Sequence, residues 1–120
     1  METTKKQITE TVPRPESPII EEQENGIVRL TLNRPEKLNS LSKDMLEMLQ
    51  VKLDAIAENR AAKLVIIQGA GKAFCSGHDL KEMIATRKES YYKSLFQQCS
   101  RMMMTLNKIP QPVIALVNGI

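Results

Sequence analysis

The stretch whose residues could do chemistry most directly is Gly69–Met83, which joins an apolar run to a new helix. Ser76 and Gly77 form a turn, and Asp79 is typical of a residue that caps the start of a helix. Glycine lets the backbone approach a ligand closely, because it has no Cβ atom. The N–H of His78 would then point out of the turn, where it suits an oxyanion that develops during a reaction. Gly-rich turns of this kind are also common as purely structural features.

The elements around this stretch are predicted from the spacing of apolar residues. Ile27–Leu32 alternates in the way of a strand. The short apolar runs Leu64–Ile67 and Val113–Val117 predict two more strands, each buried on both faces. Helical spacing predicts one helix from Ser42 to about Asn59 and another from Ser90 to about Lys108.

Each predicted helix carries an apolar stripe that should face a core. The stripes consist of side chains three or four positions apart, namely Leu46, Leu49, Leu53 and Ile56 in the first helix and Tyr92, Phe96, Cys99, Met103 and Leu106 in the second. Ser42 is a suitable N-cap for the first helix, and Pro110 ends the second.

The alternation of strands and helices predicts an α/β fold with right-handed β-α-β crossovers and a mainly parallel sheet. Ligands of such sheets gather beyond the carboxyl ends of the strands. The predicted strands end at Leu32, Ile67 and Val117. The segments that follow these three residues are therefore where a functional site is expected.

Residues 1–25 differ in composition from the rest of the chain. They contain Pro13, Pro15 and Pro18, six acidic residues, three basic residues and almost nothing that could be buried. This composition predicts a disordered tail, and residues 26–120 then form a single domain. The net charge of the chain is +3, which divides into −3 for the tail and +6 for the domain. A basic domain suits a polyanionic ligand, although the same charge also serves solubility alone.

Several classes of protein are disfavoured by the sequence. No segment approaches the roughly 18 consecutive apolar residues of a membrane span. Glu2, Glu10 and Glu16 argue against a secretory signal and a mitochondrial presequence, so we expect a cytoplasmic protein, with the mitochondrial matrix as the alternative. Cys75 and Cys99 form no metal-binding or disulfide pattern. With two Tyr, two Phe and no Trp for base stacking, a nucleic-acid partner is not expected.

Three segments resemble motifs of the crotonase (enoyl-CoA hydratase/isomerase) superfamily, in the same order and with similar spacing. Phe74–Glu82, FCSGHDLKE, is similar to the FxxGxDLKE signature. Leu32–Leu41, LNRPEKLNSL, is similar to the LNRPxxxNAL loop, and Pro112–Gly119, PVIALVNG, to the KPVIAAVNG strand. The histidine after the signature glycine and the run Phe96–Met104 resemble one branch of the superfamily. The resemblance covers residues 26–120 and implies a crotonase-like spiral of β-α-β units, truncated after the third strand-helix repeat.

The resemblance implies a site for an acyl-CoA thioester. In the superfamily, two backbone N–H groups stabilise an enolate-like intermediate, and the residue after the signature glycine, here His78, supplies the first. The alternative is that the His78 imidazole acts as a general base. Lys37 and Leu38 would contact the adenine or phosphate part of coenzyme A, unless their loop is only a turn. The stretch that contains the FxxGxDLKE-like signature would line the path of substrate and coenzyme through Ser76, Gly77, His78, Asp79, Leu80 and Lys81, with a helix cap as a further role for Asp79.

The second donor of the superfamily, a glycine, and its catalytic glutamates would follow Ile120. Glu82 and Glu89 are the nearest carboxylates in this chain, and both are expected to face solvent. We therefore expect acyl-CoA binding with oxyanion stabilisation that is incomplete in this chain. The alternative is a non-catalytic acyl-CoA-binding or partner-docking module. Coenzyme A would enter as part of the substrate, no covalently bound cofactor is expected, and the full-length form should be a homo-oligomer of the trimer type.

Overall fold

Residues 17–119 are described by a computed structural model, in which helices pack on one face of a four-stranded sheet. The strand order in the sheet follows the chain. This arrangement confirms the predicted α/β class. The elements, in chain order, are β1 (Ile19–Glu24), β2 (Ile27–Leu32), α1 (Lys43–Ala57), β3 (Leu64–Gly69), α2 (Leu80–Ala85), α3 (Glu89–Lys108) and β4 (Val113–Ala115), with a short 3-10 helix at Pro35–Lys37.

The prediction of a disordered tail over residues 1–25 was too long, because Ile19–Glu24 forms strand β1. Ile19 is only 1% exposed and pairs with Leu32, and β1 runs antiparallel to β2. Asn25 and Gly26, both at positive φ, form the two-residue hairpin turn between the strands. An edge strand can stay acidic on its exposed residues while one inward side chain anchors it, so an average over 25 residues hides the strand. Residues 1–16 lie outside the described part of the chain.

The other three strands run parallel, as predicted. Leu32 pairs with Gly69, and Ile67 pairs with Ala115. The carboxyl ends of β2, β3 and β4 therefore lie at the same edge of the sheet. This register brings the loop after β2 (residues 33–42) next to the loop after β3 (residues 70–79). We call them the first loop and the second loop.

Helix α1 buries the stripe that the sequence predicts. The Ser42 hydroxyl accepts the Met45 N–H at 3.1 Å and so caps the helix. The four predicted side chains are buried, together with Met45. Burying each such side chain contributes about 1.5–3 kcal/mol, so this helix holds much of the core together.

Helix α3 faces the core with only part of its predicted stripe, since Cys99 and Leu106 pack against the core. Leu95 and Met102 are buried, whereas Phe96 and Met103 are each 46% exposed. The predicted stripe was therefore wrong for Phe96 and Met103. Both sets of positions are apolar, and one residue corresponds to a rotation of about 100°, so the pattern of α3 alone does not determine which set faces the core.

The other face of the sheet is not covered by a helix within the described residues. Leu64 and Ile66 are only half-buried, and Ile114 is 45% exposed. The prediction that β3 and the last strand are buried on both faces is thus wrong for this part of the chain. Polar side chains also occupy this face, where Gln68 donates to the Thr31 hydroxyl at 2.9 Å and accepts from Arg29 at 3.3 Å. No helix within residues 17–119 is long and apolar enough to cross a membrane.

Candidate functional site

The first and second loops are joined by backbone hydrogen bonds beyond the ends of β2 and β3. The Ser76 N–H donates to the Leu38 carbonyl at 3.0 Å, and the Asp79 N–H donates to the Leu41 carbonyl at 3.2 Å. The Leu41 N–H donates in the other direction, to the Gly77 carbonyl at 2.7 Å. The two loops therefore form one unit at the edge of the sheet where function was predicted.

Asn39 holds this unit together from inside. Its side chain has no exposed surface. The Oδ1 atom accepts the Arg34 N–H at 2.7 Å, while Nδ2 donates to the carbonyls of Ala70 and Ala73 at 3.0 and 2.9 Å. One amide thus ties the first loop to itself and to the second loop. The sequence analysis missed this role, although Asn39 is the asparagine of the LNRPxxxNAL-like segment and a buried amide with several partners is typical of a loop clamp.

The peptide group between Gly77 and His78 has a fixed orientation. Its carbonyl oxygen accepts the Leu41 N–H, and in a trans peptide the N–H points the opposite way. The His78 N–H therefore points away from Leu41, and it makes no hydrogen bond to any other described residue. Within residues 17–119 this backbone donor is therefore left without an acceptor.

Gly77 is needed for this conformation. Its φ is +104°, which residues with a Cβ rarely adopt. A Cβ atom placed on Gly77 would meet nothing within 4 Å. The backbone conformation, and not crowding, thus requires glycine, and the space beside the peptide stays open.

A cleft of about 370 Å³ lies between the two loops. It is lined by six of the eight residues that the sequence analysis named, together with two more from the first loop: Lys37, Ser76, His78, Asp79, Leu80 and Lys81, and then Glu36 and Ser40. Leu38 and Gly77 are not part of the lining and contribute through their backbone hydrogen bonds. Leu38 and Asn39 both have positive φ, at 53° and 54°, which lets the first loop turn sharply beside the cleft.

The acidic residues at the start of α2 serve structural contacts. The Asp79 carboxylate accepts the Glu82 N–H at 3.1 Å, which confirms it as the N-cap. The half-buried Glu82 side chain accepts the Lys43 N–H at 3.0 Å, at the first residue of α1. The prediction that Glu82 faces solvent was therefore wrong, because its carboxylate meets unpaired backbone donors at a helix N-terminus.

Tyr91 lies beside this carboxylate. Burial of its hydroxyl, together with the Glu82 carboxylate, raises the pKa of Tyr91 to about 12. The Lys43 ammonium lies 5.6 Å from the centre of the Tyr91 ring. These contacts lock the start of α3 to the starts of α1 and α2, just behind the second loop.

The His78 side chain points to α3. Its ring lies edge-on to the Phe96 ring, with 5.2 Å between centroids and 80° between planes. The Nδ1 atom is buried and has no hydrogen-bond partner among the described residues. Residues 17–119 contain no group of three His, Cys, Asp or Glu side chains that could hold a metal ion.

Comparison with known proteins agrees with this geometry. Residues 27–120 match the family model described as enoyl-CoA hydratase/isomerase. Human enoyl-CoA hydratase domain-containing protein 3, a mitochondrial protein, is 41% identical over 111 residues, which are 92% of this chain and 36% of that protein. The crystal structure of the same human protein superposes with a TM-score of 0.80 and covers 85% of this chain and 40% of that one. For the enoyl-CoA hydratase of Mycobacterium smegmatis the TM-score is 0.83 at 43% identity, with the same coverage.

The chain therefore belongs to the enoyl-CoA hydratase/isomerase family and has the N-terminal part of the crotonase fold. Its resemblance to the branch of enoyl-CoA hydratase domain-containing protein 3 is also confirmed. The chain spans about a third of the length of that human relative, at 36%. Because that relative is mitochondrial, the expectation of a cytoplasmic location has no support here.

Proposed function

We propose that this chain binds an acyl-CoA thioester and stabilises negative charge on its carbonyl oxygen through the His78 N–H. The observation that carries the proposal is the Gly77–His78 peptide, whose carbonyl accepts the Leu41 N–H at 2.7 Å while its own N–H has no acceptor within residues 17–119. A donor that is already oriented needs no reorganisation when charge develops, and one such hydrogen bond is worth about 10²–10³ in rate.

The cleft offers groups that suit coenzyme A. Lys37 and Lys81 bring cations to its rim, where phosphates could bind, and the exposed Leu80 adds apolar surface. Ser76 also lines the cleft, and its N–H donates to the Leu38 carbonyl, so that both residues lie along the proposed path of the ligand. Coenzyme A is proposed as part of the substrate, and no covalently bound cofactor is proposed.

Catalysis of hydration needs groups that this cleft does not provide. Hydration needs a positioned acid and base. Of the two carboxylates in the lining, Glu36 is exposed and Asp79 already accepts the Glu82 N–H. We therefore propose that residues 17–119 alone bind the thioester without hydrating it. Hydration or isomerisation in fatty-acid metabolism, trimer-type assembly and a mitochondrial location are proposed for the whole protein.

A second candidate function is docking to a protein partner. The observation that favours it is apolar surface left open on α3, in β4 and in the residues after β4. The exposed side chains there are Phe96, Met103, Met104, Ile114, Leu116 and Val117. Surfaces of this kind mark interaction sites. Under this alternative the chain would associate with a full-length relative and would not recognise the thioester carbonyl.

Titration calorimetry with two ligands separates these functions. Butyryl-CoA carries the thioester carbonyl, and S-butyl-CoA is a thioether that lacks only its oxygen. We expect the thioester to bind about tenfold more tightly, since a hydrogen bond to a strongly polarised oxygen contributes on the order of 1.5 kcal/mol. Equal affinities would remove the oxyanion role. Binding of neither ligand, with capture of a full-length relative, would favour docking.

A further inference from the structure

We propose that the His78 imidazole is a positioning group, which holds the donor N–H in place by packing against Phe96, and that it takes no part in proton transfer. This inference rests on the proposed function, because it concerns the same donor. It decides between the two roles that the sequence left open for His78.

The ring contact has the geometry of a stabilising aromatic pair. The centroid distance of 5.2 Å and the interplanar angle of 80° describe an edge-to-face arrangement. The Nδ1 atom is buried and has no hydrogen-bond partner within residues 17–119, so no described side chain is placed to relay a proton to or from this nitrogen. The side chain is thus placed for packing.

A second pair of residues is consistent with this packing of the second loop near α3. Cys75 and Cys99 are both partly buried against the hydrophobic core. Burial and, to a smaller extent, the Cys75 thiol raise the pKa of Cys99. Residues three apart share one face of a helix, so Cys99 lies on the same side of α3 as Phe96, which contacts the His78 ring.

Helix α3 is firmly held and can therefore serve as a platform. Leu95 and Met102 are buried in the core. Gln50 of α1 donates to the Thr105 hydroxyl at 2.9 Å, and Gln98 donates to the Lys43 carbonyl at 3.3 Å. The Gly77–His78 peptide is then fixed from two sides, by Leu41 at its carbonyl and by Phe96 through the His78 ring.

The first test replaces Phe96, the residue of α3 that contacts the His78 ring. Phe96→Leu removes the aromatic edge contact, and Met103→Leu is the matched control, because Met103 is equally exposed at 46% on the same helix. In the free 120-residue chain, we expect the ¹⁵N order parameter of the His78 amide to fall in Phe96→Leu and to stay unchanged in the control. Butyryl-CoA affinity should fall about three- to tenfold in Phe96→Leu, the range expected for one aromatic pair. An unchanged order parameter, or equal losses in both variants, would overturn the inference.

The second test replaces the histidine itself. His78→Phe keeps a ring for the contact and removes both nitrogens, whereas His78→Ala removes the ring. We expect His78→Ala to lose affinity and amide order as Phe96→Leu does, and His78→Phe to recover most of both. If His78→Phe is as impaired as His78→Ala, the imidazole nitrogens matter and the inference is wrong. If the unaltered chain does not bind butyryl-CoA, the proposed function fails, while the order parameters still decide the positioning role.

Discussion

Helices α1 and α3 lie on the same face of the sheet, yet this chain covers their apolar surfaces very differently. The whole predicted stripe of α1 is buried. On α3 only Leu95 and Met102 are buried, while Phe96, Met103 and Met104 are each about half exposed, at 46%, 46% and 54%. The exposed side of α3 lines an open groove of about 690 Å³, in which Lys93, Arg101 and Lys108 also lie.

The difference indicates that the two helices have different tasks. Helix α1 packs against the sheet and buries its apolar stripe within the described residues. Helix α3 shares one side with that core, supports the second loop through Phe96, and leaves its remaining apolar side open. Substitutions of the buried stripe of α1 should therefore change stability most, whereas a substitution of Phe96 on α3 should mainly affect the second loop.

The largest expected effect compares the two helices directly. Leu53 has no exposed surface, so Leu53→Ala should lower the free energy of unfolding by about 2–5 kcal/mol through lost burial and a cavity. Met103→Ala on α3 should cost about 1 kcal/mol or less, because its side chain is already half exposed. Urea unfolding followed by circular dichroism measures both. Equal losses would mean that α3 is covered to the same extent as α1.

The next largest effect concerns the clamp between the loops. Asn39→Ala removes the three hydrogen bonds of the Asn39 side chain to the backbone of Arg34, Ala70 and Ala73, and it places alanine at a positive φ. We expect a loss of about 2–4 kcal/mol in unfolding free energy. Asn107→Ala, on the exposed surface of α3, is the control and should change it by less than about 0.5 kcal/mol. A comparable loss in both variants would contradict the clamp.

A smaller effect is expected at the turn of the second loop. Gly77→Ala puts a Cβ at a φ of +104°, where space is open but the backbone is strained. The cost should be about 1–2 kcal/mol in unfolding free energy. Ser76→Ala, at an exposed neighbour, should cost less than about 0.5 kcal/mol. If the two variants are equally stable, the turn tolerates a side chain and the conformation given for Gly77 is wrong.

The smallest effect concerns the start of α3, where Tyr91 should make the stability of the chain depend on pH. The pKa of Tyr91 is raised from 10.0 to about 12 in the folded chain, so the unfolded chain releases this proton first. The stabilisation is complete below pH 10 and is lost as the pH rises through 12. Urea unfolding across this range should show a smaller decline in Tyr91→Phe than in Tyr92→Phe. Identical declines would remove the burial inferred for the Tyr91 hydroxyl.

Local patterns predicted the elements best where one reading of the sequence excluded the others. All four residues of the predicted stripe of α1 are buried, and Ser42 was correctly identified as its cap. In α3 the adjacent residues Leu95 and Phe96 are both apolar, so the choice between them depends on where the sheet and α1 lie. Strand β1 was missed because charge was averaged over the tail, although Asn25–Gly26 was a local signal for a hairpin.

The candidate site likewise has features that depend on local sequence and features that depend on distant segments. The motif around Gly77 predicted an N–H at position 78 that points out of the turn, a feature that depends on one turn alone, and its role toward an oxyanion remains a proposal. Asn39 and Glu82 were not recognised, since each acts on a segment more than 30 residues away, Ala70 and Ala73 for one and Lys43 for the other. The contact of His78 with Phe96 likewise arises only when the second loop meets α3.

The most direct test of the account is the amide proton–nitrogen NMR spectrum of the 120-residue chain with butyryl-CoA and with its thioether analogue. Both ligands should shift amides around Lys37 and Lys81, because both carry coenzyme A. Only the thioester should move the His78 amide proton downfield, as a new hydrogen bond to the carbonyl oxygen forms. A His78 amide that responds equally to both ligands, or to neither, would contradict the claim that this N–H recognises the thioester.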